Sequence, residues 1–178
     1  MKIRLLVTAV LTIFLIGCQE KTTTKVTPEM TKKDPVITTY YLVRHAEKDR
    51  SNPADKNPPL TQEGLLRAAS YATILKDIPM DAVYATNYLR TQQTAQPVAS
   101  MSNLEITTYE PVPEITFFKD QTKGQKVFVV GHSNTIPKLV NALIGKNQFS
   151  DINDTVNGNL YIVTLVDDIP TVSLLSLE

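Results

Sequence analysis

The chain has 178 residues, one domain's worth with a little to spare, and 42% of them are hydrophobic against 20% charged. That balance excludes a disordered polymer and a protein of several membrane spans, while 11 Pro and 6 Gly show no collagen-like or low-complexity bias. Eighteen basic residues match 18 acidic ones, so no basic excess points to nucleic acid; a single cysteine and two histidines exclude a disulfide framework, a Cys-rich zinc site and a three-histidine metal site.

Lys2 and Arg4 open the chain, and Leu5 to Ile16 is an uncharged, mostly apolar run. Its 12 residues suit the core of a signal peptide and fall short of the roughly 20 needed to span a bilayer. The run ends in Leu15-Ile16-Gly17-Cys18, which resembles the lipobox of bacterial lipoproteins. The resemblance implies a signal peptide over residues 1–17, cleavage before Cys18 and lipidation of its thiol. The acyl chains would then hold the protein to a membrane. Gln19, rather than Asp, follows the cysteine, which leans toward the outer membrane of a bacterial envelope, facing the periplasm. Gln19 to Pro35 is rich in Thr, Lys and Glu without apolar periodicity and reads as a flexible tether, spanning roughly 20–25 Å. The expected domain is 36–178.

Within it the elements alternate. Ile37 to Val43 has the β-branched and aromatic content of a buried strand. A polar loop over Ser51 to Pro59 leads to Thr61, a cap for a helix with apolar residues Leu65, Leu66, Ala68, Ala69, Ala72 and Leu75 at helical spacing. Met80 to Tyr84 predicts a short strand, and a helix follows from Arg90 or Thr91 to about Ser100. Strands are expected at Leu104 to Tyr109 and Lys126 to Val130, then a helix from Thr135 to Ile144 that Gly145 terminates. Asn159 to Val166 and Thr171 to Leu177 close the chain as a hairpin turning at Asp167 to Pro170. This alternation predicts a three-layer α/β/α sandwich with a largely parallel sheet, whose ligands sit beyond the carboxyl ends of the strands.

Both histidines fall there. His45 follows the first strand in Arg44-His45-Ala46, and His132 follows the fourth in Gly131-His132-Ser133-Asn134. Two further stretches, Leu60-Thr61-Gln62-Glu63-Gly64 and Arg90-Thr91-Gln92-Gln93-Thr94-Ala95, open the helices between them. Taken in order, these four segments resemble the small, cap-free branch of the histidine phosphatase superfamily, which is phosphoglycerate mutase-like in fold. Ala46 stands where the family's Arg-His-Gly signature has Gly, a variant that resembles the branch reading Leu42-Val43-Arg44-His45-Ala46-Glu47-Lys48.

The resemblance implies a metal-independent phosphatase without a cofactor. Guanidinium forks match phosphoryl oxygens, so Arg44 and Arg90 would clamp them. His45 would attack phosphorus and become transiently phosphorylated, its other ring nitrogen held by a backbone carbonyl. His132 would donate to a phosphoryl oxygen, and backbone N–H groups near Ser133 would add to the anion site. A carboxylate between Arg90 and His132 should protonate the leaving oxygen; Glu105, Glu110, Glu114 and Asp120 lie in that interval, and Glu114 is the candidate. Glu47 is a helper or a salt-bridge partner. Ser133 after the second histidine disfavours the phytase-like branch, and the short Tyr109 to Lys126 segment favours an open site and hydrolysis over mutase transfer. The expected substrate is a phosphorylated small molecule or a phosphoprotein. The alternatives are a catalytically weak envelope lipoprotein that binds phosphate ligands, and a purely structural one.

Overall fold

The computed structural model describes residues 33–111 and 114–177. The apolar run, Cys18 and the tether before residue 33 lie outside them. Ten elements follow in order: β1 (Ile37–Arg44), α1 (Gln62–Ile74), β2 (Ala82–Ala85), α2 (Leu89–Ser102), β3 (Ile106–Thr108), α3 (Ile115–Gln121), β4 (Lys126–Gly131), α4 (Thr135–Ile144), β5 (Asn159–Val166) and β6 (Ile169–Ser176). Thr61 caps α1 by accepting from the Gly64 amide at 3.1 Å, and Gly145 ends α4 at φ 65°. α3 has no counterpart among the expected elements, because its seven residues are too few to show a period and no side chain caps it. Tertiary packing holds it instead, through Phe118 stacked on Tyr40 at a ring separation of 5.8 Å.

The strands form one sheet in the order β3-β2-β4-β1-β5-β6. β3, β2, β4 and β1 are mutually parallel; β5 runs antiparallel to β1, and β6 antiparallel to β5. The sheet is therefore mixed, not largely parallel as the alternation predicts. The cause lies in residues 145–158. α4 leaves the carboxyl end of β4 and travels about 15 Å away from it, but the following segment returns to that same end, where the Arg44 guanidinium donates to the carbonyls of Asn153, Asp154 and Val156. β5 thus starts where β1 ends and can only run the other way. The hairpin to β6 turns at Asp167 and Asp168, with φ of 49° and 69°. Left-handed residues at both positions give the turn whose twist matches paired strands, and Asp tolerates that conformation.

Side chains alternate across the sheet and feed two cores. Tyr40, Leu42, Val127 and Val129 pack with Phe118 of α3 and with Ile136, Leu139, Val140 and Leu143 of α4. Tyr41, Val43, Phe128 and Val130 pack with Tyr71 and Leu75 at the end of α1 and with Ala95, Val98 and Ala99 of α2. α1 buries Gly64, Ala68 and Tyr71, whereas Leu65 and Leu66, which share the helical apolar spacing, are 43% and 64% exposed. Close backbone contact decides its rotation: a Cβ on Gly64 would stand 2.3 Å from the Glu47 carbonyl oxygen. Gly64→Ala therefore forces α1 off the Glu47 loop and should cost about 1–3 kcal/mol. A urea melt should show a lower midpoint than wild type, with Leu66→Ala, on the exposed face, close to wild type.

Candidate active site

β1 and β4 pair in parallel with Arg44 opposite Gly131, so the residue after each strand is a histidine beside a histidine. The His45 amide donates to the Gly131 carbonyl at 2.9 Å, and the two imidazole rings lie 5.7 Å apart. Gly131 permits this junction, because a Cβ there would meet the Tyr109 hydroxyl at 2.7 Å and Ile136 at 2.9 Å.

Each imidazole has a fixed orientation. His45 Nδ1 lies 2.8 Å from the Ala46 carbonyl oxygen. A carbonyl only accepts, so Nδ1 carries the proton and Nε2 an unshared pair. Ala46 is fixed in turn, its amide donating to Thr94 Oγ1, whose hydroxyl donates to the Arg90 carbonyl. His132 Nε2 lies 2.9 Å from Thr86 Oγ1. Thr86 donates its proton to Thr91 Oγ1, and Thr91 donates to the Thr86 and Tyr88 carbonyls. Protons run one way along this chain, so His132 enters it as the donor from Nε2. An anion binding at His132 would then be met by a second proton, on Nδ1, or by exchange of Thr86 for the anion.

The surroundings favour the neutral rings and an incoming anion. Burial, reinforced by Arg44 and Arg90, lowers His45 to about 3, despite its carbonyl partner. Burial first, then Arg90, Arg44 and Lys48, lowers His132 to about 4. The Arg90 guanidinium sits 4.4 Å over the Tyr88 ring, and its Nε and Nη1 are buried with no hydrogen-bond partner among the described residues. Arg44 is 2% exposed. Its Nη1 donates to three carbonyls and its Nη2 to Asp154, leaving Nε buried and unpartnered. Arg50 also pairs with Asp154, at 2.9 Å, and the two arginines hold that carboxyl below the ordinary carboxylate range. Between these groups is a cavity of about 360 Å³ bordered by His45, Arg90, His132 and Ser133, with Tyr88 and Asp154 in its walls.

The structure brings together Arg44, His45, Arg90, His132 and Ser133. Glu114 is exposed ahead of α3 and is not among the described residues of the cavity wall, nor are Glu105, Glu110 and Asp120, all exposed. Pro111, three residues before Glu114, does line the cavity. Glu47 pairs with Arg67, Oε1 to Nε 2.7 Å. Thr86, Tyr88 and Asp154 escape the motifs, and Lys48, the last residue of the first motif, carries no role there. Thr86 and Tyr88 had a signal, since they follow β2 and the same strand-end rule that finds the histidines covers them. Asp154 had none, because it sits in an irregular segment.

Residues 40–120 match the family model described as "Histidine phosphatase superfamily (branch 1)". The fold is similar to that of the protein histidine phosphatase SixA complexed with tungstate, with a TM-score of 0.62 and 18% identity over 78% of this chain and 96% of that one. The model match spans 81 of the 178 residues, and the likeness to SixA is one of fold. Phosphoglycerate mutase from Bacillus anthracis str. Sterne has a TM-score of 0.61 at 17% identity, covering 81% of this chain and 94% of its own. Alpha-ribazole phosphatase from Shigella flexneri has a TM-score of 0.61 at 18% identity, covering 78% and 96%. No curated protein matches the sequence. The family-model match ends before His132, so the second histidine joins the site through the fold rather than through that match.

Both histidines titrate in the unfolded chain near 6.5 and in the folded one near 3 and 4. Between about pH 5 and 6.5 the unfolded state therefore binds more protons, up to about two, and stability rises with pH across that window, levelling above it. Urea midpoints measured from pH 5 to 7 should show this rise. In His45→Gln its slope should fall by about half.

Proposed function

We propose that the protein is a phosphatase that hydrolyses phosphomonoesters through a phosphohistidine on His45. The observation that carries this reading is a neutral imidazole with Nε2 unprotonated beside a buried guanidinium whose Nε and Nη1 lack partners. A phosphoryl group supplies the acceptors those donors lack, and its transfer needs positioning and charge stabilisation more than covalent help. Arg90, with Nε of Arg44, takes the phosphoryl oxygens, and Ser133 at the start of the α4 segment lies against them. The dianion raises the pKa of His132, so that its ring can be held as a donor against a phosphoryl oxygen. His45 Nε2 forms a bond to phosphorus as the ester P–O bond breaks, and the leaving oxygen takes a proton from a carboxylic acid. Water then attacks the phosphohistidine, giving its proton back to that carboxylate; inorganic phosphate departs and His45 is again neutral.

Glu114 is the proposed acid. Its support is its position in the chain, three residues beyond the cavity residue Pro111. The chemistry as written calls for no metal and no cofactor. The substrate is a phosphorylated small molecule or a phosphoprotein, in keeping with two proteins of similar fold, a protein histidine phosphatase and an alpha-ribazole phosphatase. The two helix-lined cores support a three-layer arrangement of the fold. The apolar run and Cys18 support export and anchoring through lipid to a bacterial envelope membrane, with the domain facing the periplasm.

One observation favours the alternative of a phosphate-binding protein of weak turnover: most donors of Arg44 are already engaged by residues 153–156. Incubation with a radiolabelled phosphomonoester separates the two. The phosphatase should acquire acid-labile, base-stable label, absent in His45→Ala; binding without label would leave only the alternative, and label on serine or aspartate would reject the mechanism. Glu114→Gln should slow alkyl phosphates at least tenfold more than p-nitrophenyl phosphate, whose leaving group needs no proton. Equal losses on both would remove Glu114 from the role.

A further inference from the structure

Beside the cavity of His45 and Arg90 lies a second one of about 370 Å³, and the two share Arg44, His45, Lys48 and Asp154. The proposed chemistry leaves the second cavity unused, although Arg50, Glu47, Thr155 and Asn157 complete its wall. Charge across the pair is unbalanced. Arg44, Lys48, Arg50 and Arg90 bring four cations, against which Asp154 sets one carboxylate, shared by Arg44 and Arg50. Glu47 is paired through Oε1 with Arg67 from α1, which offsets its charge, while its Oε2 is buried with no partner among the described residues. Both imidazoles are uncharged near neutral pH. A phosphoryl dianion offsets two of the three positive charges that Asp154 leaves, and one remains.

Lys48 is the cation without an answer. It pairs with no carboxylate among the described residues, whereas Arg44 and Arg50 hold Asp154 and Arg90 lies against Tyr88. Partial burial, and after it the nearby charges of Arg90 and Arg50, hold its ammonium below the ordinary lysine value against the smaller opposing effect of Asp154. Its backbone is fixed, since Lys48 bridges to Leu60 and Asp49 donates to the Pro59 carbonyl. The side chain therefore starts from a set point three residues beyond His45 and borders both cavities.

We propose that Lys48, with Arg50 behind it, forms a subsite for a second acidic group carried by the leaving part of the substrate. The preferred substrates are then phosphomonoesters with a carboxylate or a further phosphoryl group near the ester oxygen, the phosphoryl group lying at Arg90 and the second anion reaching toward Lys48. This assignment rests on the phosphatase reading of the His45 cavity. A charge-assisted contact in a partly desolvated wall contributes more than an exposed pair, so its loss should change selectivity about tenfold.

The test compares carboxymethyl phosphate with its neutral carboxamide as substrates, and 3-phosphonopropionate with its carboxamide as non-hydrolysable ligands, on the full chain purified in detergent. Wild type should favour the carboxylate of each pair. Lys48→Gln should lower that preference about tenfold, both in the ratio of kcat/KM values and in the ratio of Kd values from calorimetry. Arg50→Gln, at a side chain 53% exposed, should move both ratios the same way and reports on the subsite should Lys48→Gln fail to fold. Equal preference in wild type and variants overturns the subsite; turnover of both substrates would then leave the phosphatase reading standing. Absence of turnover together with a Lys48-dependent Kd ratio would sink the phosphatase reading and leave the subsite in place.

Discussion

Arg44 ends β1 as a guanidinium with almost no contact with water, and a charge at that depth persists only where the protein supplies acceptors. The acceptors come from a segment more than a hundred residues away: the carbonyls of Asn153, Asp154 and Val156 and the Asp154 carboxylate. This one set of bonds gathers much of the molecule. It draws the irregular segment after α4 over the carboxyl end of β1, where the Ile152 amide also donates to the Ser133 carbonyl. It delivers β5 beside β1 in reverse direction and so makes the sheet mixed. It also places Asp154 in the walls of both cavities.

The same neighbourhood holds positive charge that the protein does not neutralise. Among the described residues Arg90 keeps two buried donors without partners, and Arg44 keeps one. Unsatisfied buried donors cost stability, and sites that bind ions are where such a cost is tolerated, because the ligand repays it. The neutral state of both imidazoles follows from the same field: an imidazolium among guanidinium groups, out of water, is strongly disfavoured. Asp154 tempers the field without cancelling it. A carboxylate already bound to two arginines is a poor proton donor, so Asp154, the one acidic side chain among the described residues lining the cavity of His45 and Arg90, is unsuited to protonating a leaving group.

The four motifs divide between chemistry and scaffold once the contacts are known. In Arg90-Thr91-Gln92-Gln93-Thr94-Ala95, Arg90 faces the cavity. Thr91 anchors the Thr86 relay to His132, Gln93 accepts from the Leu60 amide, and Thr94 ties α2 to Ala46. Gly64 and Gly131 serve close approach, one against the Glu47 carbonyl and the other against Tyr109 and Ile136. The residues around His45 are thus held by threonines and glycines whose own side chains take no part in the proposed reaction. Each bridges two elements, which fixes its place relative to His45.

Local pattern was sufficient for the strands and most helices, for the Thr61 cap, the Gly145 stop and the hairpin after β5, because each depends on residues within a few positions of one another. It was also sufficient to place both histidines at strand ends, and the parallel pairing of β1 with β4 then made them neighbours. α3 was illegible because seven residues carry no period, and the outward turn of Leu65 and Leu66 because helix rotation was set by the backbone contact at Gly64. The direction of β5, the engagement of Arg44 by the 153–156 segment, the entry of Asp154 and Lys48 into the cavity walls and the proton arrangement of His132 belong to tertiary structure. Each depends on which distant groups meet after the chain folds, and a donor's choice among several acceptors is made by the geometry of the assembled site, which the order of residues does not express on its own.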